Sequence, residues 1–321
     1  MTAHSYYITF FLTTPHHPAP PLMSSLPYLT AIGHVAKVGV CLTLLTNSLV
    51  IYLTIFSIKR ITPEYKFLII LFATCGIYFT ILGLFVHPFM HSFNGSYIYF
   101  SSSHFTSSLG SVVLTSSLLS LYSSTYMIII FLLSIQFYYR SCVLVVNESL
   151  IWFNGWKILF WLFSGLIFTV VWMYSLLLCL PDKFSNQYLH LEMLSHYQLE
   201  VEKLAGFHVL AYNPNGQLRW QTAFGIFGCT CILNILYAII FHCGWKCHFG
   251  IKSLVSLVSA RNHRLHSQLF KCLLLQILIP TVFHSLPAFV VFYLPFLDLK
   301  VSFPSGVITC FFNIYPAIDS H

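Results

Sequence analysis

Seven long apolar runs alternate with short polar connections along this chain. A helix needs about 20 apolar residues to cross the hydrocarbon core of a bilayer. The pattern predicts spans at Ala31–Phe56, Phe67–His87, Val112–Phe137, Ile158–Leu180, Trp220–His242, Leu269–Leu294 and Ser302–Ile318. Such runs are too long for barrel strands, and helices satisfy their own backbone hydrogen bonds in lipid. The expected fold is all-α, a seven-transmembrane helix bundle. Residues 1–30 form an outer tail, 31–318 the membrane domain and 319–321 a very short cytoplasmic end.

Charge sets the orientation. Lys59, Arg60, Lys66, Arg140, Lys157, Lys246, Lys252, Arg261, Arg264 and Lys271 all fall on one set of connections. The other set holds Lys183, Lys203, Arg219 and Lys300. Basic residues are retained in the cytoplasm, so the N-terminus is outside. Hydrophobic residues make up 57% of the chain and charged residues 7%, against about 25% charge in a soluble domain. The net charge of +7 therefore belongs to lipid headgroups and excludes a nucleic-acid partner. The Tyr6–Leu12 stretch is short and lacks the basic flank of a signal peptide.

Several function classes lose support. No span carries an internal Asp or Glu, which proton pumps and many ion-coupled transporters need. Neither HExxH nor GxSxG occurs, so no enzyme is expected. No cofactor is implied, and the seventh span has no Lys for a retinal Schiff base. The string from His242 to His248 contains two Cys and two His, but its spacing fits no standard zinc site. The expected metal content is none, and a juxtamembrane, acylated cysteine cluster is the other reading.

Polar residues within the spans either line a cavity or bond between helices. The candidates for ligand contact are His34, Lys37, Thr115, Ser116, Asn234 and His284. Lys37 also lies shallow enough to snorkel to the outer headgroups. Asn47 in the first span and Asn313, Pro316 and Asp319 near the end of the chain suggest an inner polar network. Asn94-Gly95-Ser96 is a glycosylation sequon in an outer loop. In the largest outer loop, Leu189–Leu204 is expected as a lid helix and Asn213–Gly216 as a turn.

A set of motifs then narrows the reading: NSLVIYL from Asn47, ITPEYKFLIILF from Ile61, VHPFMHSFNGSYIYF over Val86–Phe100, QFYYR over Gln136–Arg140, LHSQLFKCLLLQILIP over Leu265–Pro280, and YPAID over Tyr315–Asp319. In this order and spacing the chain resembles the nematode Str-type serpentine chemoreceptors, with the Srd and Srj types as near neighbours. The resemblance runs from Ile32 to Asp319 and implies a G-protein-coupled receptor. Its expected ligand is a small environmental chemical, its partner a heterotrimeric G protein, and its place the plasma membrane of a sensory-neuron cilium.

The resemblance makes Arg140 the counterpart of the arginine switch, with a positive-inside anchor as the alternative. The mixed apolar and basic stretch Ile251–Leu269, with Arg261 and Arg264, and Lys271 on the inner half of the sixth span are the further coupling candidates. Pro280 and Pro287 predict a kink in the sixth span. Rhodopsin-like receptors tie the third helix to the second outer loop by a disulfide, and Pro88–Ser111 holds no Cys for it. The family pattern continues beyond the aspartate, where Ser320 and His321 stand here. The competing functions are a seven-helix ligand-gated channel or transporter and a non-coupling receptor relic.

Overall fold

The computed structural model describes residues 26–57, 61–103, 111–145, 148–253 and 260–297. The expected seventh span and its Asn313, Pro316 and Asp319 lie outside the described residues. Among the described residues, six helical stretches are long and apolar enough to cross a membrane. They are α1 (Leu26–Phe56), α2 (Pro63–Val86), α3 (Val112–Val145), α4 (Ile158–Leu177, after a 3₁₀ turn), α6 (Trp220–Ser253) and the α7–α8 unit. In that last unit α7 (Ala260–Pro280) passes through a π turn at Thr281–Ser285 into α8 (Leu286–Tyr293). The short α5 (Lys183–Tyr197) belongs to the second outer loop.

The bundle is built around α3. In the apolar window of α3, 78% of residues are buried, against 17–33% in the other five. Its Ser and Thr positions suit this role, because small side chains let neighbouring helices approach. On α4 one face is buried, through Gly165, Thr169, Trp172 and Leu176. The opposite face, including Phe163, Leu166 and Val170, is exposed as a lipid-facing surface should be. Helices α3 and α6 run further inward than their apolar runs predict, to Val145 and Ser253, and carry basic residues to the headgroups.

Asn47 is buried on α1; its Nδ2 donates to the Thr43 carbonyl at 3.0 Å and its side chain rests against Gly76 of α2. Between Pro280 and Pro287 the chain leaves α-helical register for the π turn. Each proline withdraws one backbone donor, so the register shift falls where the ladder is already broken.

The outer face carries structure beyond the helices. Strands β1 (Pro88–Phe93), β2 (Ser96–Ser101) and β3 (Gly206–Leu210) form an antiparallel sheet in that order. β1 and β2 join through Asn94 and Gly95, both at positive φ (41° and 78°). That is the two-residue hairpin turn for which Asn-Gly is the strongest local signal. β3 comes from the second outer loop and pairs Gly206 with Phe100 and Leu210 with Ser96. The loop is therefore held to the hairpin by backbone hydrogen bonds. The Cys179 thiol near it is free.

The lid helix starts earlier than the expected Leu189 and ends before Leu204. Asp182 caps it: the Ser185 amide donates to Asp182 Oδ1 at 2.7 Å, and Ser185 Oγ accepts from the Asp182 amide at 2.9 Å. Gln198 closes it in left-handed conformation (φ 56°). The turn expected at Asn213–Gly216 is present, with the Gly216 amide donating to the Asn213 carbonyl at 2.9 Å.

Helices α4 and α6 meet closely at Gly225, where an added Cβ would lie 2.6 Å from the Ser175 carbonyl. At Gly244 it would meet Phe137 at an ordinary 3.5 Å. Gly225→Leu is expected to cost about 1–3 kcal/mol by overpacking, lowering the Tm of the purified protein, while Gly244→Ala leaves it near wild type. Equal Tm values for the two variants would contradict this packing.

Candidate functional site: a lidded cavity over a hydroxyl relay

The sheet alternates its side chains between two cores. Phe89, Ile98, Phe100 and Leu210 point outward and pack on Leu189, Met193 and Tyr197. Met90, Tyr97, Tyr99 and Phe207 point into the bundle and roof a cavity. Tyr122, Ser123 and Tyr126 of α3, Trp172 and Leu176 of α4, Leu233 of α6, and His284, Ser285 and Phe292 of the α7–α8 unit complete it. The space open to the centre of a water molecule is about 40 Å³. That admits roughly three waters, so a larger ligand must displace side chains.

The polar groups of the wall are few and directed. Trp172 Nε1 donates to Ser123 Oγ at 3.1 Å. His284 stacks on Tyr126 with ring centroids 3.5 Å apart and planes 13° from parallel. The Tyr122 hydroxyl is buried and has no hydrogen-bond partner among the described residues. A buried donor without a partner costs about 1–3 kcal/mol, and a ligand oxygen in the cavity would recover it.

Below the cavity runs a chain of hydroxyls. Tyr126 OH is 2.6 Å from Ser285 Oγ, Ser285 Oγ is 2.8 Å from Tyr237 OH, and Tyr237 OH is 2.9 Å from Thr281 Oγ1. Thr281 Oγ1 donates to the Ile277 carbonyl at 2.5 Å. Each hydroxyl has one proton, so only one orientation satisfies every link. Tyr126 donates to Ser285, Ser285 to Tyr237, Tyr237 to Thr281 and Thr281 to Ile277. The relay joins α3, α6 and the π turn, and its first two members line the cavity.

The lid is fastened from outside. The buried ring of His91 on β1 meets Glu192 of α5 through Nε2 at 3.0 Å and Tyr197 OH through Nδ1 at 2.9 Å. Because a carboxylate only accepts, Nε2 carries the proton. Asp182 pairs with Arg219, next to α6. Burial works against the Asp182 charge, but the amide and hydroxyl of Ser185 and the Arg219 guanidinium together hold its carboxyl below its usual range. On β3, His208 Nδ1 lies 3.2 Å from Ser185 Oγ. Burial pushes the His208 imidazole down to about 4, with Arg219 adding to the effect and Asp182 opposing it.

At the inner end, Arg140 lies buried with its guanidinium 3.8 Å from the centre of the Tyr65 ring. Tyr65 stacks on Tyr139, whose hydroxyl meets Thr62 Oγ1 at 2.6 Å. Arg140 Nε and Nη2 have no hydrogen-bond partner among the described residues.

Of the candidates for ligand contact whose side chains are described, the cavity takes in only His284. Asn234 is exposed on the lipid side of α6, one residue out of phase with cavity-lining Leu233. Thr115 and Ser116 are buried one to two turns outward on α3, and Lys37 is exposed on α1, away from the cavity. The side chains of His34 and Arg261 lie outside the described residues. Arg264 and Lys271 are exposed on α7. Asn94 sits in the hairpin turn, with Nδ2 donating to Tyr188 OH at 3.2 Å. Cys243 and Cys247 are buried whereas His242 and His248 are exposed, so helical geometry sends that string to different faces of α6. Sequence reasoning missed Tyr122, Tyr126, Trp172 and Ser285; the four-residue spacing of Tyr122 and Tyr126 was the available signal.

The model for the family described as "Serpentine type 7TM GPCR chemoreceptor Str" matches residues 33–321. The chain belongs to this family of serpentine chemoreceptors. It is 40% identical to the Caenorhabditis elegans G-protein coupled receptor str-33, over 89% of this chain and 84% of that one. It is 25% identical to Serpentine receptor class r-10 of the same organism, over 92% and 88%. Squid rhodopsin has the same fold, with a TM-score of 0.55, 11% identity and coverage of 92% of this chain and 76% of that one. The Str-family chain is thus a multi-pass membrane receptor of the G-protein-coupled type and not an enzyme.

His208 gives the lid a pH dependence. The unfolded chain takes up this proton below about 6.5, whereas the folded chain resists until about 4. Its contribution to stability is therefore complete above pH 6.5 and declines as pH falls towards 4, by roughly 3 kcal/mol over the window. The Tm of the purified receptor is expected to fall from pH 7 to pH 4.5, and His208→Gln to flatten that fall. An identical slope in both proteins would contradict the assignment.

Proposed function

We propose that this Str-family receptor detects a small, weakly polar environmental chemical in the lidded cavity and signals to a heterotrimeric G protein from its inner face. The observation that carries the reading is the position of Ser285. It lines the cavity and also joins α3 to α6 through Tyr126 and Tyr237. A ligand that seats beside His284 has to move the members of this relay, because the existing space is so small. The π turn that the relay holds lies between two prolines, where the helix resists bending least. The ligand then favours whichever arrangement of α7 it binds better.

Arg140 supports the inner half of the reading. Its guanidinium rests on Tyr65 with two buried N–H-bearing nitrogens unspent, which an outward swing of the inner helix ends would uncover to the carbonyls or carboxylates of a partner helix. Arg264 and Lys271 on the exposed side of α7 extend the basic surface, and Arg261 is the remaining candidate there. Residues 1–30 serve as the outer tail and 31–318 as the receptor domain. A sensory-cilium plasma membrane fits a receptor whose lid faces the environment.

Expression with a G-protein readout and a panel of small organic compounds tests this. Ser285→Ala is expected to raise ligand-independent signalling several-fold, and Tyr122→Phe to weaken the response about tenfold, one lost buried hydrogen bond. Arg140→Ala is expected to abolish signalling at unchanged surface expression. Ligand-gated current without any G protein, or normal signalling in Arg140→Ala, would overturn the mechanism.

A further inference from the structure

A second opening lies on the other side of α3 from Arg140. Helices α4 and α6 touch at their outer halves, where Gly225 and Gly228 pack on Ser175. At its inner end α4 leans instead onto α3, with Trp161 against Tyr138 at 5.4 Å between ring centroids. The two helices therefore diverge inward and leave a crevice between α3 and α6. Its space, on the same measure as the cavity, is about 510 Å³. The α6 wall follows one helical stripe, Ile235, Ile239, His242 and Lys246, spaced by four, three and four residues. Ile235 and Ile239 lie at membrane depth and are exposed, while His242 and Lys246 follow at the cytoplasmic headgroup level. Lys246 makes no ion pair among the described residues.

We propose that this crevice binds an anionic phospholipid of the inner leaflet, with one acyl chain against Ile235 and Ile239 and its headgroup on Lys246 and His242. The ordering of the stripe selects this occupant. A free phosphate would leave the apolar wall uncovered, and a zwitterionic headgroup brings a fixed cation beside its phosphate, which offsets the attraction to Lys246 that a net negative headgroup keeps. The inner leaflet supplies lipids that carry both parts. Arg140 faces Tyr65 of α2 rather than this crevice. Lipid and G protein therefore occupy separate faces of α3, and the inference stands or falls independently of the proposed signalling mechanism.

Full-length receptor in nanodiscs provides the test. Phosphatidylserine and phosphatidylcholine bearing the same photoactivatable acyl chain compete at equal amounts, and labelling is read on the α6 peptide spanning Ile235–Lys246. Phosphatidylserine is expected to be enriched about fivefold, the equivalent of about 1 kcal/mol for one lysine at an anionic surface. Lys246→Gln is expected to remove the enrichment and Lys252→Gln to preserve it. Ile239→Trp is expected to fill the crevice and reduce labelling by both lipids. Equal labelling by the two lipids, or equal effects of the two lysine variants, would overturn the proposal. A hydroxylamine-labile acyl group on Cys142 or Cys243 would also overturn it, since the crevice would already be filled covalently.

Discussion

In lipid, no bulk water is at hand to satisfy a buried hydroxyl, so Tyr126, Ser285, Tyr237 and Thr281 must satisfy one another. Their bonds run in one direction, from α3 through α6 to the carbonyl of Ile277. Breaking the link between Tyr237 and Thr281 strands the Tyr237 proton away from bulk water, at a cost of about 1–3 kcal/mol. Elsewhere the membrane core is mainly apolar packing around α3, with further polar links such as Trp172 to Ser123 and Tyr293 to Thr230. The relay ties the π turn to α3 and α6, and its first two members line the cavity.

The outer sheet solves a second problem. The second outer loop lies over the cavity, and backbone pairing of β3 with β2 ties it there. Pairing along a strand fixes the loop at several points, and the capped α5 clamps it from above through Glu192 and Tyr197 on His91. The same strands send Tyr97, Tyr99 and Phe207 down into the cavity roof. Lid and cavity roof are therefore the two faces of one sheet.

Span length and loop charge made the bundle and its orientation legible, because both follow directly from the thickness and polarity of a bilayer. The family motifs carried the receptor class. Side-chain phase was not legible. A uniformly apolar helix has no contrast between its faces, so Asn234 looked like a cavity residue and lies on the lipid side. The aromatic pair Tyr122 and Tyr126 was hidden for the same reason. The hairpin was written in Asn94-Gly95, but the same residues also spell a glycosylation sequon and were read only as that. The α5 start was written in Asp182 and Ser185, whose reciprocal bonds outweighed the hydrophobic pattern further on. The relay was out of reach, since Tyr126 and Ser285 are brought together only by the packed bundle.

The central claim is that the hydroxyl relay holds the α7–α8 unit in its present arrangement. It is tested most directly by spin labels at Glu64 on α2 and Arg264 on α7, with their separation measured by double electron–electron resonance in the unliganded receptor. The account predicts a single distance distribution in the otherwise unaltered receptor and a second, longer population in Ser285→Ala. A distribution unchanged by Ser285→Ala in a folded, surface-competent receptor would contradict it.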